Sequence, residues 1–289
     1  MIVNCLFGIA SRTDFCYNEL LMVPVSKIKI DGSTSLAIKG AILKAVDEIG
    51  GFGKFVRAGD VVMLKPNFNS ADPYPASTDF EFLKATVELV YESGAKLVAI
   101  ADSSTMTLNT RKVMEKLKIF DLQNTEQPAR VYVFEEGNWI KKTIPGAQYL
   151  KSVSVPGILE RIDKLIFLPC LKTHKQASFT GSLKLSVGFM KPFQRVGLHL
   201  KNIEEKIAEL NAVVKPDLII MDARKCFIGG GPFKGLVREP NLIMASISRV
   251  AIDIEGVKII QGFDGNALKH IKAEDLKQIK RAIEMGIDI

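Results

Sequence analysis

The chain has 289 residues, of which 47% are hydrophobic and 25% charged, a composition that predicts a globular protein and excludes a disordered one. No apolar run reaches the roughly 18 to 20 residues of a membrane-spanning helix, and residues 1–10 lack the basic start of a secretory signal, so we expect a cytoplasmic protein with no membrane partner. The net charge of +7 favours an anionic partner. Because the basic residues form no stripe interleaved with aromatic residues, nucleic acid is not the expected one.

The four cysteines argue against a self-contained metal centre. Cys5, Cys16, Cys170 and Cys226 form no CxxC pair and match neither ferredoxin nor zinc-finger spacing. Scattered thiols of this kind are typical of a reducing compartment. We therefore predict free, mostly buried cysteines and no self-contained iron–sulfur motif.

Short apolar segments alternate with amphipathic ones along the chain. Strands are predicted at 61–67, 96–102, 131–136, 164–172, 217–223 and 241–248. Helices are predicted at 80–93, 111–120, 201–214, 249–261 and 273–285. The strand segments are continuously apolar, which indicates burial on both faces. The expected fold class is α/β, with a mostly parallel, doubly wound sheet and helices on both faces.

The chain is expected to form one domain. The segment 138–156 is the least regular and is interpreted as a hairpin or small insertion. No linker or repeat divides the rest, so we predict a single α/β domain over 25–289, preceded by an N-terminal extension over 1–24.

Polar residues follow nearly every apolar strand. Because parallel strands end at one edge of a sheet, these residues are expected to meet in a crevice there. Turn formation alone explains any single position, but several lysines, carboxylates and a histidine at one edge predict a ligand site. The residues are Lys65, Asn67, Asp102, Lys172, His174, Asp222, Ser246, Ser248 and Asp253.

Each of these residue types suggests a role. Lys65 and Lys172 are expected to bind an anion as point charges. His174 is the candidate general acid or base, with Lys172 beside it as a second catalytic candidate. Asp222 and Asp253 are candidates for holding Mg²⁺ or another metal, with helix capping and turn formation as the alternatives.

Two further segments are candidate anion sites. Gly229, Gly230 and Gly231 permit close backbone approach, and their N–H groups are suited to an anion, although a plain flexible turn explains them equally. The segment from Thr180 to Lys184 resembles a helix N-terminus, where Thr180 binds a ligand or serves as the N-cap. His199 and His270 are expected to be structural.

Taken together, these segments resemble the domain-of-unknown-function family number 362. The resemblance covers roughly residues 25–262, and its most specific part is the Lys-Thr-His element followed by Thr-x-x-x-Lys. It is carried by LKPN at 64–67, LKTH at 171–174, Thr180 with Lys184 and Gly188, the segment 220–232, and Ala251 to Asp253.

The resemblance implies a fold and a site rather than a reaction. Members are often associated with ferredoxin-type iron–sulfur modules, which implies a redox setting and a ferredoxin-type partner. This chain departs from the family pattern at Leu185 and Ser248, and these departures imply a changed ligand or weakened activity.

Three functional readings therefore stand. The first is binding of a small phosphate- or carboxylate-bearing ligand at the sheet edge, with or without catalysis by His174. The second is a redox-associated protein that holds a metal or cluster with a partner. The third is a non-catalytic anion or nucleic-acid binder. A homodimer is the expected assembly if the chain is not monomeric.

Overall fold

The fold is built around one large sheet. A computed structural model describes residues 23–288, so residues 1–22 of the predicted extension, with Cys5 and Cys16, lie outside the described residues. The strands are β1 Val25–Lys29, β2 Val61–Lys65, β3 Leu97–Asp102, β4 Arg130–Val133, β5 Trp139–Thr143, β6 Ser152–Pro156, β7 Lys164–Phe167, β8 Cys170–His174, β9 Ser178–Thr180, β10 Leu218–Gly230, β11 Gly235–Arg238 and β12 Leu242–Ser246.

The large sheet is mostly parallel in its centre. Its main path runs β1-β12-β10-β7-β2-β3-β4, and the four neighbouring pairs from β10 to β4 are parallel. Strand β8 continues beside β10 in the same direction, and β9 and β11 add antiparallel hairpins. The carboxyl ends of β2, β3 and β7 therefore lie at one edge of the sheet.

Helices cover the sheet on both faces. They are α1 Ser35–Asp47, α2 Phe52–Phe55, α3 Phe80–Glu92, α4 Thr110–Lys116, α5 Ser182–Leu185, α6 Gln194–Leu200, α7 Ile203–Leu210, α8 Arg249–Gln261 and α9 Lys277–Glu284. Short 3₁₀ turns occupy Ile119–Asn124, Phe134–Glu136, Gly157–Arg161, Ser186–Phe189 and Ala273–Asp275.

Alternate residues of the central strands enter two separate cores. Val62 and Leu64 of β2 pack in the core that α1 and α3 cover, whereas Met63 packs in the core of α7, α8 and α9. Burial on both faces is what the continuously apolar strands predict. The α/β class and the mostly parallel sheet with helices are thus confirmed, while the doubly wound arrangement stays a prediction.

The predicted strand over 164–172 is wrong in one respect, because the structure divides it into β7 and β8. Leu168 and Pro169 separate the two strands. Proline has no N–H to give to a sheet ladder, so the pairing breaks there. Strand β7 pairs with β2, and β8 pairs with β9 instead.

The strand predicted over 241–248 exists as β12, but it runs antiparallel to β10. Ser246 pairs with Ile219 near the start of β10, and Leu242 pairs with Ala223 farther along it. The chain reaches β12 through the β10–β11 hairpin, without the long crossover that a parallel strand requires. The expectation that Ser246 joins the other strand ends is therefore wrong, because it lies at the opposite edge.

The segment 138–156 is a two-stranded antiparallel hairpin of β5 and β6, separate from the large sheet. This confirms the hairpin interpretation. The predicted helix over 273–285 is a 3₁₀ turn followed by α9.

Candidate functional site

A cavity of about 380 Å³ lies at the carboxyl edge of the sheet. Seven residues predicted from separate segments line it, namely Lys65, Asn67, Asp102, Lys172, His174, Thr180 and Lys184. The other predicted residues are not among those that line it, namely Asp222, Gly229, Gly230, Gly231, Ser246, Ser248 and Asp253. The lining residues carry four cationic side chains, Lys65, Lys172, Lys184 and Arg195, against one carboxylate, Asp102.

Lys65 and Asp102 form a buried ion pair at the ends of β2 and β3. Lys65 Nζ lies 2.6 Å from Asp102 Oδ1, and the two side chains are 1% and 3% exposed. Asp102 also accepts hydrogen bonds from the N–H groups of Phe68 and Ser103, both at 2.7 Å. A Cβ at Gly188 would lie 2.7 Å from Lys65 Nζ and 2.8 Å from Asp102 Oδ1, so only glycine fits against the pair. The charge of Lys65 is thus largely neutralised within the protein.

Lys172 is buried, and no carboxylate within residues 23–288 pairs with it. It is 1% exposed, and its ammonium donates to the carbonyl of Ala76 at 2.5 Å, a carbonyl that Asn67 Nδ2 also contacts at 3.1 Å. Burial lowers the pKa of Lys172 to about 8, because it penalises the charged form. Lys172 therefore brings an uncompensated charge to the cavity when it is protonated.

The hydrogen bonds of His174 define its tautomer. Its Nδ1 accepts from the backbone N–H groups of Gln176 and Ala177, both at 3.1 Å. In the neutral ring the proton is therefore on Nε2. Burial, with the charges of Lys184 and Lys172, lowers the pKa of His174 to about 2. This arrangement makes His174 a neutral hydrogen-bond donor and disfavours the predicted role of general acid or base.

Thr180 and Lys184 bring two side chains without partners to the cavity. Thr180 pairs directly with Lys172 across β8 and β9, so the two side chains lie on the same face. Its hydroxyl is buried and has no hydrogen-bond partner among residues 23–288. Within the same described range, the half-buried ammonium of Lys184 has no hydrogen bond or ion pair. Burial, followed by the charges of Lys172 and Arg195, lowers the pKa of Lys184 to about 7.

Asp253 caps the short helix that carries Lys184. Its carboxylate is fully buried and accepts from the N–H groups of Ser182 at 2.6 Å and Leu183 at 2.9 Å. A Cβ at Gly181 would lie 2.3 Å from Asp253 Oδ1, so glycine permits this approach. Burial raises the pKa of Asp253 to about 7, against the lowering effect of these two hydrogen bonds. Asp253 thus has the capping role that was the alternative to metal binding.

Asp222 is occupied by other partners outside the cavity lining. It accepts from Tyr74 Oη at 2.7 Å and from Arg224 at 2.9 Å and 2.6 Å. Arg224 also reaches Asp79 at 2.9 Å. No group of three or more His, Cys, Asp or Glu among residues 23–288 is placed to hold a metal ion. Metal binding by Asp222 stays a prediction without a ligand set in this part of the chain.

The glycine triplet forms the end of β10 and the turn into β11. Gly229 pairs with Leu236 and Gly230 with Gly235, and the N–H of Gly231 donates to the carbonyl of Lys234 at 2.8 Å. A Cβ on Gly231, which has φ +73°, would lie 2.0 Å from the carbonyl oxygen of Thr173 in β8. The triplet thus allows close packing against β8, and the following Pro232 and Phe233 line the cavity.

Arg195 and His199, which the sequence patterns did not identify as site residues, also line the cavity. They are four residues apart in α6 and therefore share one face of the helix. The Arg195 guanidinium donates to the carbonyls of Ser103, Ser104, Gly188 and Met190 and to Ser103 Oγ. His199 Nδ1 donates to the Arg195 carbonyl at 2.7 Å, which leaves Nε2 as an acceptor when the ring is neutral.

The two described cysteines are unsuited to nucleophilic chemistry. Cys170 and Cys226 are buried free thiols, and burial raises their pKa values to about 11 and about 12. A thiol of this kind is not ionised near neutral pH, so it is a poor nucleophile. Cys170 packs in the protein, as expected from its position in a strand.

Comparison with known proteins identifies the family. The family described as Domain of unknown function (DUF362) matches residues 62–258, which is more than half of the chain. The chain belongs to the DUF362 family. The matched segment begins in β2 and ends in α8, so it contains all seven predicted residues that line the cavity.

One curated relative extends beyond this segment. A thylakoid-associated protein of Synechocystis is 26% identical over 246 residues, which cover 82% of this chain and 74% of that protein. Among the helices of residues 23–288, none has the length and apolar character required to cross a membrane. The recognition of the DUF362 family from the sequence is confirmed, whereas its association with iron–sulfur modules stays a prediction.

Proposed function

We propose that this DUF362 protein binds a small anion, bearing phosphate or carboxylate groups, in the cavity at the carboxyl edge of the sheet. The observation that carries the proposal is the excess of positive charge around one cavity, with four cationic side chains, three of them buried, and one carboxylate. A buried charge is costly unless a partner compensates it. An anionic ligand would supply that compensation.

The excess charge is concentrated on Lys172 and Lys184. Lys65 already has Asp102 as its partner, and the N–H groups of Arg195 are taken up by backbone carbonyls and Ser103. Lys172 contacts only a neutral carbonyl, and Lys184 has no partner within residues 23–288. These two ammonium groups are therefore the ones that a ligand would neutralise.

Two neutral groups complete the proposed site. The Thr180 hydroxyl has no partner among the described residues, and His174 presents Nε2–H because its Nδ1 is an acceptor. Both donate hydrogen bonds to an anion without adding charge. The cavity of about 380 Å³ lies in the range of roughly 300 to 1,000 Å³ that is typical of small-molecule sites.

The test is a thermal-shift screen with phosphate, pyrophosphate and citrate, followed by isothermal titration calorimetry. We expect at least one of these anions to raise the melting temperature of the wild-type chain. Thr180→Val keeps the shape of the side chain and removes its hydroxyl, and Lys172→Met removes one charge. Both variants should bind more weakly.

Lys175→Met is the matched control, because Lys175 is exposed and does not line the cavity. It should bind like the wild type. If no anion binds, or if all three variants bind as the wild type does, the proposed site is wrong. Binding that the Lys175 change alone weakens would assign the anion to the surface instead.

The other expectations concern the cellular location, the oligomeric state and the partner of the protein. The cytoplasmic location, the homodimer and the ferredoxin-type partner stay predictions.

The arrangement of His174 favours ligand binding over proton transfer by that residue. Among the two histidines at the cavity, His199 is the one whose hydrogen bonding leaves a ring nitrogen as an acceptor.

A further inference from the structure

We infer that Lys184 is a nucleophilic amine that forms a Schiff base with a small oxo acid, a ligand bearing both a carboxylate and a ketone or aldehyde carbonyl. This inference rests on the proposed anion site, and it specifies the chemical class of the ligand. It follows from the surroundings of the three lysines that line the cavity.

Within the part of the chain that the structure describes, one of those three lysines has a side-chain nitrogen that no hydrogen bond or ion pair holds. Lys65 is held by Asp102 at 2.6 Å and by the Pro66 carbonyl at 2.7 Å. Lys172 is held by the Ala76 carbonyl at 2.5 Å. Lys184 makes no hydrogen bond or ion pair within residues 23–288, so nothing described there ties its nitrogen to another group.

The charges around Lys184 favour its neutral form. Lys172 from β8 and Arg195 from α6 act on it as like charges, and His174 facing the same cavity is neutral. Together with burial, they bring its pKa to about 7, so about half of the amine is unprotonated at neutral pH. Burial and a neighbouring cation are the two conditions that activate a lysine as a nucleophile.

The amine is also held in position. Lys184 lies on α5, whose first N–H groups are capped by the buried carboxylate of Asp253 at 2.6 Å and 2.9 Å. The cap fixes a four-residue helix that lacks a side-chain cap of its own. This fixes the backbone from which Lys184 extends into the cavity.

The remaining groups suit the rest of an oxo acid. The ammonium of Lys172 and the unpartnered hydroxyl of Thr180 are adjacent across β8 and β9 and are placed to bind a carboxylate. His174 Nε2–H is the neutral donor for the carbonyl oxygen. Neutral imidazole polarises a carbonyl without adding a proton that would quench the amine.

The step is balanced without an added reagent. The nitrogen of neutral Lys184 attacks the carbonyl carbon, so a C–N bond forms as the C=O π bond breaks, and one amine proton moves to the oxygen to give a carbinolamine. The hydroxyl of the carbinolamine then leaves with the remaining amine proton as one water molecule, which breaks the C–O bond and leaves a C=N bond. Nothing is oxidised or reduced in this step.

The test is reductive trapping of the full chain with pyruvate and sodium cyanoborohydride, which reduces the C=N bond to a stable amine. Intact mass and peptide mapping should show one added reduced pyruvyl group per chain, on Lys184. Lys184→Arg removes the nucleophilic amine, so it should lose the adduct. Lys175→Met, the exposed control, should trap as the wild type does.

The dependence on pH separates this lysine from those at the surface. Trapping at Lys184 should rise about tenfold per pH unit below its pKa and level off above about pH 7. Ordinary lysines have a pKa of about 10.4, so trapping there continues to rise. Citrate in excess should block the adduct in the wild-type chain, a measurement that needs no variant to fold.

The outcomes distinguish this inference from the proposed function. If pyruvate or citrate stabilises the protein and no adduct forms on Lys184, the Schiff base is overturned while the anion site stands. An adduct spread over exposed lysines and unaffected by Lys184→Arg also overturns it. If no anion binds at all, the proposed function itself fails.

Discussion

Replacing Lys172 by Met should stabilise the unliganded protein while it weakens anion binding. Lys172 is 1% exposed, and burial lowers its pKa from 10.5 to about 8. That difference corresponds to about 3 kcal/mol of unfavourable free energy for keeping the charge in the folded state at pH 7. The variant also loses the hydrogen bond to the Ala76 carbonyl, worth about 1 kcal/mol, although Asn67 Nδ2 still contacts that carbonyl. The expected net gain is about 2 kcal/mol.

The difference in stability between Lys172→Met and the wild type should depend on pH in a direction that can be measured. Between pH 8 and 10.5 the unfolded chain keeps a proton that folded Lys172 has lost, so the stability of the wild type rises with pH across this window. The advantage of Lys172→Met should therefore be largest near pH 7 and vanish or reverse by about pH 10.5. Met has no titrating group, so the stability of the variant lacks this rise with pH.

The assay is urea unfolding of wild type, Lys172→Met and the exposed control Lys175→Met at pH 7 and pH 10, without added anions. The control should track the wild type at both values, because an exposed lysine keeps its ordinary solvation. A variant that is less stable than the wild type at pH 7, or more stable by the same amount at both pH values, would refute this reasoning about the buried charge.

Three further substitutions test how the site is supported. Gly231→Ala should destabilise the protein by about 2 kcal/mol or more in urea unfolding, because its Cβ would lie 2.0 Å from a backbone carbonyl oxygen. Gly229→Ala is the control, and it should cost less than about 1 kcal/mol because its Cβ would have nothing within 4 Å. Equal losses of stability in the two variants would contradict this prediction. Asp253→Ala should cost about 2 to 4 kcal/mol of stability, because two backbone N–H groups lose their acceptor. It should also slow the reductive trapping of pyruvate on Lys184, which lies on the helix that Asp253 caps. Unchanged stability would show that the cap is dispensable. Arg195→Met should cost about 3 kcal/mol or more because several buried carbonyls lose their donor, and a gain in stability would contradict this reading of the Arg195 hydrogen bonds.

The predicted residues that the structure brings together at one cavity lie at or beside the ends of parallel strands. Lys65 ends β2, and Lys172 and His174 lie in β8, where strand direction alone sends them towards one edge. Thr180 is on the strand paired with β8, so its place also follows from local pairing. Hydrophobic periodicity and strand direction were therefore sufficient to predict that these residues meet at one edge of the sheet.

The predictions from the sequence fail where the tertiary structure differs from what the local sequence pattern indicates. Ser246 was placed at the wrong edge because a hairpin, not a helix, precedes β12. Arg195 was missed because α6 has the opposite of the usual helix pattern: Phe193, before it, and Leu200 are 84% and 76% exposed, while Arg195 is 4% exposed. No pattern based on buried apolar residues identifies such a helix as part of a site.

The protonation of the site could not be read from the sequence either. His174 was chosen for its ordinary pKa, but burial, the charges of nearby lysines and two backbone N–H groups on its Nδ1 oppose protonation. Asp253 was considered as a metal ligand, and its partners are N–H groups from a segment 70 residues away. The first outcome depends on burial and on contacts close to His174 in the chain, and the second on a contact between distant segments.

The most direct test of the anion site is citrate titration at pH 8 by calorimetry in two buffers of different ionisation enthalpy. Lys172 and Lys184, with pKa values of about 8 and about 7, are partly unprotonated at that pH. A bound anion restores their charges, so the account predicts binding with net proton uptake and an affinity that falls as the pH is raised to 9. Absence of binding, or binding with the same heat in both buffers and no dependence on pH, would contradict it.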